Sequence, residues 1–351
     1  MRILLVMACW QAIPPTAHGA VEKIVWETKL DLEHRGHQVT ILNKHRKRTV
    51  AGILAKPWTY DFVHLHQDLA APVWTKLQRW FGFPLAISTH YGYAPFPQKW
   101  QKSYQRVAEG LLGAPNLILQ SEQLRQVFVE QGFQGKSYVL SNGLNAHNIE
   151  FRDHPVKQAL CLGRIQVRKR QTHLARLLDQ TDVECDFIGP PEDEAFTVNE
   201  GNTHYLGEWT RKQIEHNLTD YACHVLLSDG ETMAPIVVLE ALAAGLSLVV
   251  SPEASHNLDV SLPWIHVVDV DKDDVPGIIR KAVTENSLYR QQIRQHCLET
   301  FDYDVLMPRY LNIVQKTIAR NELHVAAELR GIARLTQVLT ATSGSEQFHL
   351  L

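Results

Sequence analysis

The sequence predicts an α/β protein made of two parallel-sheet domains, and two observations lead to this prediction. Short apolar runs alternate with helix-length amphipathic segments along both halves of the chain, which is the pattern of repeated βαβ units. The 351 residues are also enough for two ordinary domains, each with its own core. We therefore interpret both halves as Rossmann-like domains that face each other across a cleft.

The first half begins with the apolar strand RILLVM, and the amphipathic segment AVEKIVWETKLDLEHRG follows after a Pro-rich loop. Gly36 ends this predicted helix, and HQVTIL is the next strand, which completes a βαβ unit. The strand pattern repeats at FVHLH, PLAIST, NLILQS and SYVLSNG. We assign residues 1–154 to this N-terminal domain.

The strand pattern restarts at QALCLGR, after an irregular stretch at 144–155. Further strands are predicted at VECDFIG, THYLG, HVLLS and SLVVS, which places a C-terminal domain at residues 155–305. A long helix is predicted from about Tyr303, followed by a second amphipathic segment that Gly331 interrupts. Residues 306–351 are thus predicted to be C-terminal helices, the first of which returns to the N-terminal domain.

Composition and cysteine usage are those of an ordinary globular protein, with 45% hydrophobic and 21% charged residues. No apolar run approaches the roughly 20 residues that span a bilayer. The opening segment MRILLVMACW lacks the length and flanks of a signal peptide, so we expect a cytoplasmic protein. The five cysteines are odd in number and scattered, which predicts buried thiols rather than disulfides or a metal site.

The net charge of −3 argues against a general nucleic-acid binder, but the charge is unevenly distributed. Residues 1–150 carry 16 Lys and Arg against 10 Asp and Glu, a balance of +6 that leaves −9 for the remainder. A basic first half suits an acidic acceptor or anionic lipid, and hence peripheral contact with the inner face of a membrane. The alternative is a solvated basic surface around Lys44, Arg46, Lys47 and Arg48. Aromatic residues between Trp74 and Tyr104 are mostly core, but those near His90 could instead form an acceptor platform or touch a membrane.

The segment SDGETMAPIVVLEALAAG carries the first candidate site, because two acids frame a loop that leads into a helix. The amides and dipole at the start of such a helix favour an anion such as a diphosphate. Glu240, farther along the helix, can accept hydrogen bonds from ribose or sugar hydroxyls. The alternative is that Glu231 and Glu240 only cap and solvate the helix.

A second candidate site is the turn GRIQVRKR, where Gly163 ends an apolar strand. Arg164 and Lys169 can bring two positive charges to the mouth of this strand, which suits a leaving nucleoside diphosphate. In the N-terminal half, Gly19 allows close backbone contact before a helix, and His18 either touches the ligand or is an ordinary loop residue. His64 and His66 share a strand face, but without a third ligand we do not predict a metal site.

In their order and spacing, PPTAHGAVE, DFVHLH, STHYG, LSNGL, GRIQVRKR and SDGETMAPIVVLEALAAG resemble retaining family 4 glycosyltransferases of the glycosyltransferase-B fold, over about residues 1–320. The resemblance implies that Arg164 and Lys169 hold the donor diphosphate and that Glu240 binds the ribose. It also implies that Glu231 and His90 face the transferred sugar and that the N-terminal domain faces the acceptor. The remaining implied donor-binding residues are Gly19, Trp209, Thr232, Met233, Ala234, Pro235 and Ile236. No metal is implied, since cationic side chains take the place of a divalent ion.

The sequence departs from the family pattern at four points, one of which is that Met233, Ala234 and Pro235 replace the glycines and the aromatic residue common in this loop. Eight residues separate Glu231 from Glu240 where the family usually has seven, so the strict register of the first acid falls on Thr232. Ser228 keeps its usual spacing from Glu231 and favours a one-residue insertion within Thr232 to Pro235. Arg170 stands where the family usually has glycine after the lysine, and Ala20 replaces a second glycine after Gly19.

The implied reaction is transfer of a hexose from a nucleotide diphosphate sugar to an acceptor hydroxyl, on a glycan, a glycolipid or a small molecule. The anomeric configuration would be retained, through an oxocarbenium-like transition state. Two alternatives stay open. One is a nucleotide-sugar epimerase or sugar phosphorylase on the same fold, and the other is a non-catalytic module that binds nucleotide sugar.

Overall fold

A computed structural model describes residues 1–7, 12–15, 19–43, 53–90, 103–199 and 201–343. The first half contains one sheet of parallel strands: β1 (Arg2–Val6), β2 (Gln38–Leu42), β3 (Phe62–Leu65), β4 (Leu85–Ser88), β5 (Asn116–Leu119) and β6 (Lys136–Val139). Their order across the sheet is β2-β1-β3-β4-β5-β6. The prediction for His18 lies outside the described residues, as do those for Tyr91, Tyr93, Phe96, Trp100 and the basic residues 44–48.

The second half contains another sheet of parallel strands: β7 (Lys157–Leu162), β8 (Cys185–Ile188), β9 (Thr203–Tyr205), β10 (Tyr221–Leu226), β11 (Ser247–Val250) and β12 (Ile265–Val267). Their order is β12-β11-β10-β7-β8-β9. Within the described residues each sheet has six strands, and central strands such as β3 and β10 are buried along their whole length. Continuous apolar strands are expected where helices cover both faces of a sheet. The predicted α/β class with two Rossmann-like domains is therefore confirmed.

The helices of the first half are α1 (Ala20–His34), α2 (Ala71–Phe81), α3 (Ser103–Leu112) and α4 (Glu122–Glu130). Those of the second half are α5 (Gln171–Leu178), α6 (Arg211–Asn217), α7 (Ile236–Ala243), α8 (Val275–Thr300) and α9 (Tyr303–Ser343). Helix α7 is apolar on almost every side and nearly completely buried. Glu240 is the single charged residue of this helix. None of the described helices is long and apolar enough to cross a bilayer.

Helix α9 carries the chain back to the first sheet. Its buried residues Tyr303, Met307, Tyr310, Ile313 and Val314 share a core with β1 and α1. The sequence predicted an interruption at Gly331, but the helix continues through this residue to Ser343. The prediction was wrong because a single glycine costs a helix only about 1 kcal/mol and, unlike proline, keeps its amide hydrogen bond.

The two places where the chain passes between the sheets are bonded to each other. The Leu144 amide donates to the Phe301 carbonyl at 3.1 Å, and the Tyr303 amide donates to the Leu144 carbonyl at 3.1 Å. The buried Asp302 carboxylate accepts from the Ala146 amide at 2.8 Å. Both crossings thus form one connection between the domains.

Arg170 lies at the start of α5 and adopts a left-handed conformation, with φ 56° and ψ 25°. A side chain in this conformation costs roughly 1–2 kcal/mol, which explains why glycine is the usual residue there in the family that the sequence resembles. Its guanidinium lies 3.7 Å from Asp271 in an exposed ion pair, and such pairs contribute little.

Arg170→Gly should therefore raise the free energy of unfolding by about 0.5–1 kcal/mol. The relief of strain exceeds the extra freedom that glycine has in the unfolded chain, about 0.5–1 kcal/mol. Urea unfolding measures the effect. Arg176→Gly, at an exposed position inside α5, is the control and should lower stability by up to about 1 kcal/mol. Equal losses in both variants would contradict the strain at Arg170.

Candidate functional site

A cleft of about 990 Å³ lies between the two domains, at the carboxyl ends of both sheets. Its walls are the loops after β1, β3, β4, β7, β8 and β10, together with the first turns of α1 and α7. Open parallel sheets bind ligands at this edge, because loops and helix amino termini converge there. Of the predicted site residues that the structure describes, the cleft brings together all but one: Gly19, His90, Arg164, Lys169, Trp209, Glu231, Thr232, Met233, Pro235, Ile236 and Glu240.

The exception is Ala234, which does not line the cleft. Its side chain is buried, and its amide donates to the His256 carbonyl at 2.8 Å. This hydrogen bond fixes the loop to the segment that contains His256, within the C-terminal domain. Ala234 therefore faces away from the cleft.

The ends of β7 and β8 leave a part of the cleft floor free of side chains. Gly163 and Gly189 have φ values of 133° and 141°, which strongly favour glycine. Their backbones touch, so that a Cβ on Gly189 would lie 2.2 Å from the Gly163 carbonyl oxygen. The Lys169 ammonium lies above this floor, 2.9 Å from where a Gly163 Cβ would be. Gly163, Gly189 and Lys169 all line the cleft, so a ligand bound there can contact backbone and ammonium together.

Three cations surround this floor. Arg164 is half exposed, and its Nη1 lies 3.3 Å from Glu192 Oε1. Lys169 is partly buried, and burial lowers its pKa although nearby Glu231 acts in the opposite direction. The sequence interpretation did not include Arg168, although it belongs to the same basic run. Its Nη1 donates to Glu231 Oε1 at 2.8 Å.

The loop before α7 is held by both domains. Glu231 Oε1 also accepts from Ser228 Oγ at 2.7 Å, so the predicted sugar-facing acid is oriented from within its own domain. From the N-terminal domain, Ser121 Oγ donates to the Thr232 carbonyl at 2.9 Å. Asn142 Nδ2 lies 3.0 Å from the Met233 sulfur. This loop therefore forms one of the contacts that close the domains against each other.

Glu240 joins the two domains through a buried ion pair. Its Oε1 accepts from Lys23 Nζ of α1 at 2.6 Å and from the Arg211 guanidinium of α6. Burial raises the pKa of Glu240, but Lys23 and Arg211 outweigh it and the net shift is downward. Glu27, one turn after Lys23, is also largely buried, and burial raises its pKa. Sequence reasoning identified Glu240 but missed both cations.

His90 is half-buried at the cleft and ends a row of three imidazoles, of which His64 and His66 are fully buried. Its Nε2 lies 3.1 Å from His66 Nδ1, and the His66 ring is 3.8 Å from that of His64, centroid to centroid. The two nitrogens of His64 contact Tyr310 Oη at 3.0 Å and Ser88 Oγ at 2.8 Å. Burial lowers the pKa of His90 to about 4 and that of His64 to about 3. At neutral pH His90 is therefore an uncharged hydrogen-bonding group at the cleft.

Asp68 is a buried carboxyl group near His90 that sequence reasoning missed. It accepts from Thr89 Oγ1 at 2.5 Å, and burial raises its pKa to about 7. Its position three residues after β3, at the same sheet edge as His90, was the signal that could have identified it.

Comparison with known proteins gives matches in structure but not in sequence. No protein-family model matches the chain, and no curated protein is significantly similar to it. Sucrose-phosphate synthase from Thermosynechococcus elongatus superposes with a TM-score of 0.73 at 14% identity, over 91% of this chain and 100% of that one. HepE of Anabaena in complex with UDP gives 0.71 at 13% identity, over 90% and 100%. The same protein with UDP-glucose gives 0.65 at 14% identity, over 93% and 100%.

The chain has the glycosyltransferase-B fold. Identities this low establish the fold alone, so the function has to be argued from the cleft. In this glycosyltransferase-B chain the cleft combines cations, a bare backbone floor and a buried carboxylate.

We expect Lys23→Met to lower the free energy of unfolding by about 2–3 kcal/mol. Breaking a buried ion pair costs about 3–5 kcal/mol, and here Arg211 still compensates part of the Glu240 charge. Lys29→Met is the matched control, because Lys29 pairs with Glu33 on the more exposed side of α1 and should cost less than about 1 kcal/mol. Equal effects in urea unfolding would show that Glu240 does not depend on Lys23.

The buried histidines predict that stability falls as the pH drops below about 6.5. Burial lowers the pKa of His64, His66, His90 and His224 in the folded chain, so the unfolded chain takes up more protons. Their contribution is complete above pH 6.5 and is lost progressively toward pH 4. Asp68 opposes this trend, because its raised pKa makes the folded chain hold a proton below about pH 7.

Denaturant unfolding at pH 7 and pH 5 measures the net effect. We expect lower stability at pH 5, and His64→Gln should reduce the slope by up to about 1.4 kcal/mol per pH unit. The exposed His154→Gln is the control and should leave the slope unchanged. A slope of zero in the unmodified protein would contradict the prediction.

Proposed function

We propose that the protein is a retaining glycosyltransferase that transfers a hexose from a nucleotide diphosphate sugar to an acceptor hydroxyl. The observation that carries this proposal is the corner formed by Arg164, Lys169 and the bare backbone of Gly163 and Gly189. Two cations beside an open backbone floor suit a diphosphate, and the cleft is large enough for a nucleotide sugar.

The first turns of α1 and α7 strengthen the case for an anion. Both helices begin at the cleft, and their N-cap residues, Gly19 and Pro235, make no capping side-chain hydrogen bond. Neither N-cap side chain therefore covers the first turn of its helix, and the helix dipole favours negative charge at the first amides. We assign these amides, with Arg164 and Lys169, to the diphosphate.

We assign the ribose hydroxyls to Glu240 and the transferred sugar to Glu231 and His90. Glu240 stays ionised beside Lys23 and Arg211, which makes it a strong acceptor for hydroxyl groups. Met233 and Trp209 border the same space. The HepE structures with UDP and UDP-glucose support UDP sugars as the first donors to test.

In the proposed reaction, the bond between the anomeric carbon and the diphosphate oxygen breaks first and leaves an oxocarbenium-like sugar. The acceptor oxygen then attacks from the same face, and its proton passes to the leaving phosphate oxygen. Arg164 and Lys169 stabilise the charge that develops on the diphosphate. Glu231 is oriented by Arg168 and Ser228, so we assign it to holding the sugar rather than to nucleophilic attack.

Arg164→Ala and Lys169→Ala should each reduce donor turnover by about 10²-fold or more, and the double variant should abolish it. The reason is the loss of fixed positive charge where the transition state needs it. The assay follows release of UDP from UDP-sugars in the presence of acceptor mixtures. Arg280→Ala is the matched control. The Arg280 side chain is 51% exposed and paired with Asp182. The Arg164 side chain is similarly 47% exposed and paired with Glu192.

Full activity in the double variant would overturn the assignment of these two cations. A thermal shift with UDP but no donor consumption would favour the non-catalytic binding module. Donor consumption that depends on inorganic phosphate would indicate a phosphorylase, and conversion of the donor sugar without release of UDP would indicate an epimerase.

A further inference from the structure

The N-terminal domain carries a cluster of exposed apolar side chains far from the cleft. We call it the aromatic patch, and it consists of Ile53, Leu54, Trp58, Trp80 and Phe81. Leu54 and Trp80 are 74% and 69% exposed. The Trp58 and Phe81 rings lie 4.5 Å apart, centroid to centroid, and so join its two segments into one surface. Contiguous exposed apolar surface of this kind marks interaction sites in soluble proteins.

The topology places the aromatic patch at the opposite end of the sheet from the cleft. Its two segments immediately precede β3 and β4, and therefore lie at the amino ends of these strands. The cleft lies at the carboxyl ends. A partner bound to the aromatic patch would leave the cleft open to donor and acceptor.

Helix α9 passes beside the aromatic patch at Gly82. Asn321 Nδ2 donates to the Gly82 carbonyl at 2.8 Å, and a Val325 methyl lies close to Gly82. Phe81, directly before Gly82, nevertheless stays exposed. The described part of the chain therefore leaves this surface open to an external partner.

Basic side chains accompany the aromatic patch. In the sequence, Lys56 lies between Leu54 and Trp58. Lys76 and Arg79 lie on the last turns of α2, and Lys76 is one turn before Trp80. All three basic side chains are exposed. The first 150 residues also carry a balance of +6, against −9 for the rest. This charge would orient the N-terminal domain toward an anionic surface.

We propose that the aromatic patch docks the N-terminal domain onto an anionic lipid bilayer. Tryptophan is enriched at membrane interfaces, and neighbouring lysine and arginine add attraction to acidic headgroups. A second copy of the chain fits less well. A symmetric contact would bring Lys56, Lys76 and Arg79 of both copies close together, and like charges repel.

The test is co-sedimentation of the full chain with vesicles of phosphatidylcholine, with and without phosphatidylglycerol. Binding should require phosphatidylglycerol and should weaken as salt is added. Leu54→Ser and Trp80→Ser should lower the partition coefficient at least about fivefold. Leu288→Ser is the matched control, because Leu288 is 68% exposed on α8 of the other domain, and it should change binding less than about twofold.

Charge is tested separately with Lys76→Gln combined with Arg79→Gln. Each cation near an anionic surface contributes about fivefold in binding, so the double variant should lose about 20-fold or more on acidic vesicles. Absence of vesicle binding by the unmodified chain would overturn the proposal, as would equal losses in Leu54→Ser and Leu288→Ser. A monomer in Leu54→Ser but a dimer in the unmodified chain, measured by sedimentation velocity, would identify a second copy as the partner and overturn it too.

The proposal is independent of the donor reaction. Leu54→Ser should keep the thermal shift with UDP and the donor turnover of the unmodified chain, because the aromatic patch lies away from the cleft. A failure of vesicle binding would therefore leave the glycosyltransferase assignment untouched, and the reverse also holds.

Discussion

The arrangement of the two domains depends on the buried contact between Glu240 and Lys23. Glu240 lies on a helix whose other side chains are apolar, where an unpaired carboxylate would be very unfavourable. One cation comes from each domain, Lys23 from α1 and Arg211 from α6. Separating the domains would remove half of this compensation. The ionisation of Glu240 and the closure of the cleft are therefore coupled at the wall where we place the donor ribose.

Closure is supported at two further places, which together explain how a large cleft can have a defined shape. Asp302 and Leu144 tie the two chain crossings to each other. On the loop side, Ser121 holds the Thr232 carbonyl, and Asn257 Nδ2 donates to the Gln120 carbonyl at 2.6 Å. Most of these bonds use backbone atoms, whose positions follow from the sheets. The cleft geometry thus derives from the sheet edges rather than from flexible surface side chains.

The sequence predicted the sheets and the cleft well because both are encoded locally. Apolar runs mark the strands, and the loops at their carboxyl ends must converge once the strands are parallel. The Lys23 contact could not be predicted, since it joins residues 217 positions apart and depends on how the domains face each other. Within the basic run, periodicity could not show that Arg168 contacts Glu231. Ala234 was misplaced because the backbone bond to His256, and not the spacing of the loop, decides which way it turns.

The segment between Glu231 and Glu240 is one residue longer than in the family that the sequence resembles. Ser228 fixes Glu231 on one side, and α7 fixes Glu240 on the other, so the additional length is accommodated between them. The loop absorbs it with the Thr232 carbonyl bonded to one domain and the Ala234 amide bonded to the other. Met233 is thereby placed at the cleft wall next to Asn142. The Met233 thioether therefore forms an apolar part of this wall, two residues from Glu231, at the place where we assign the donor sugar.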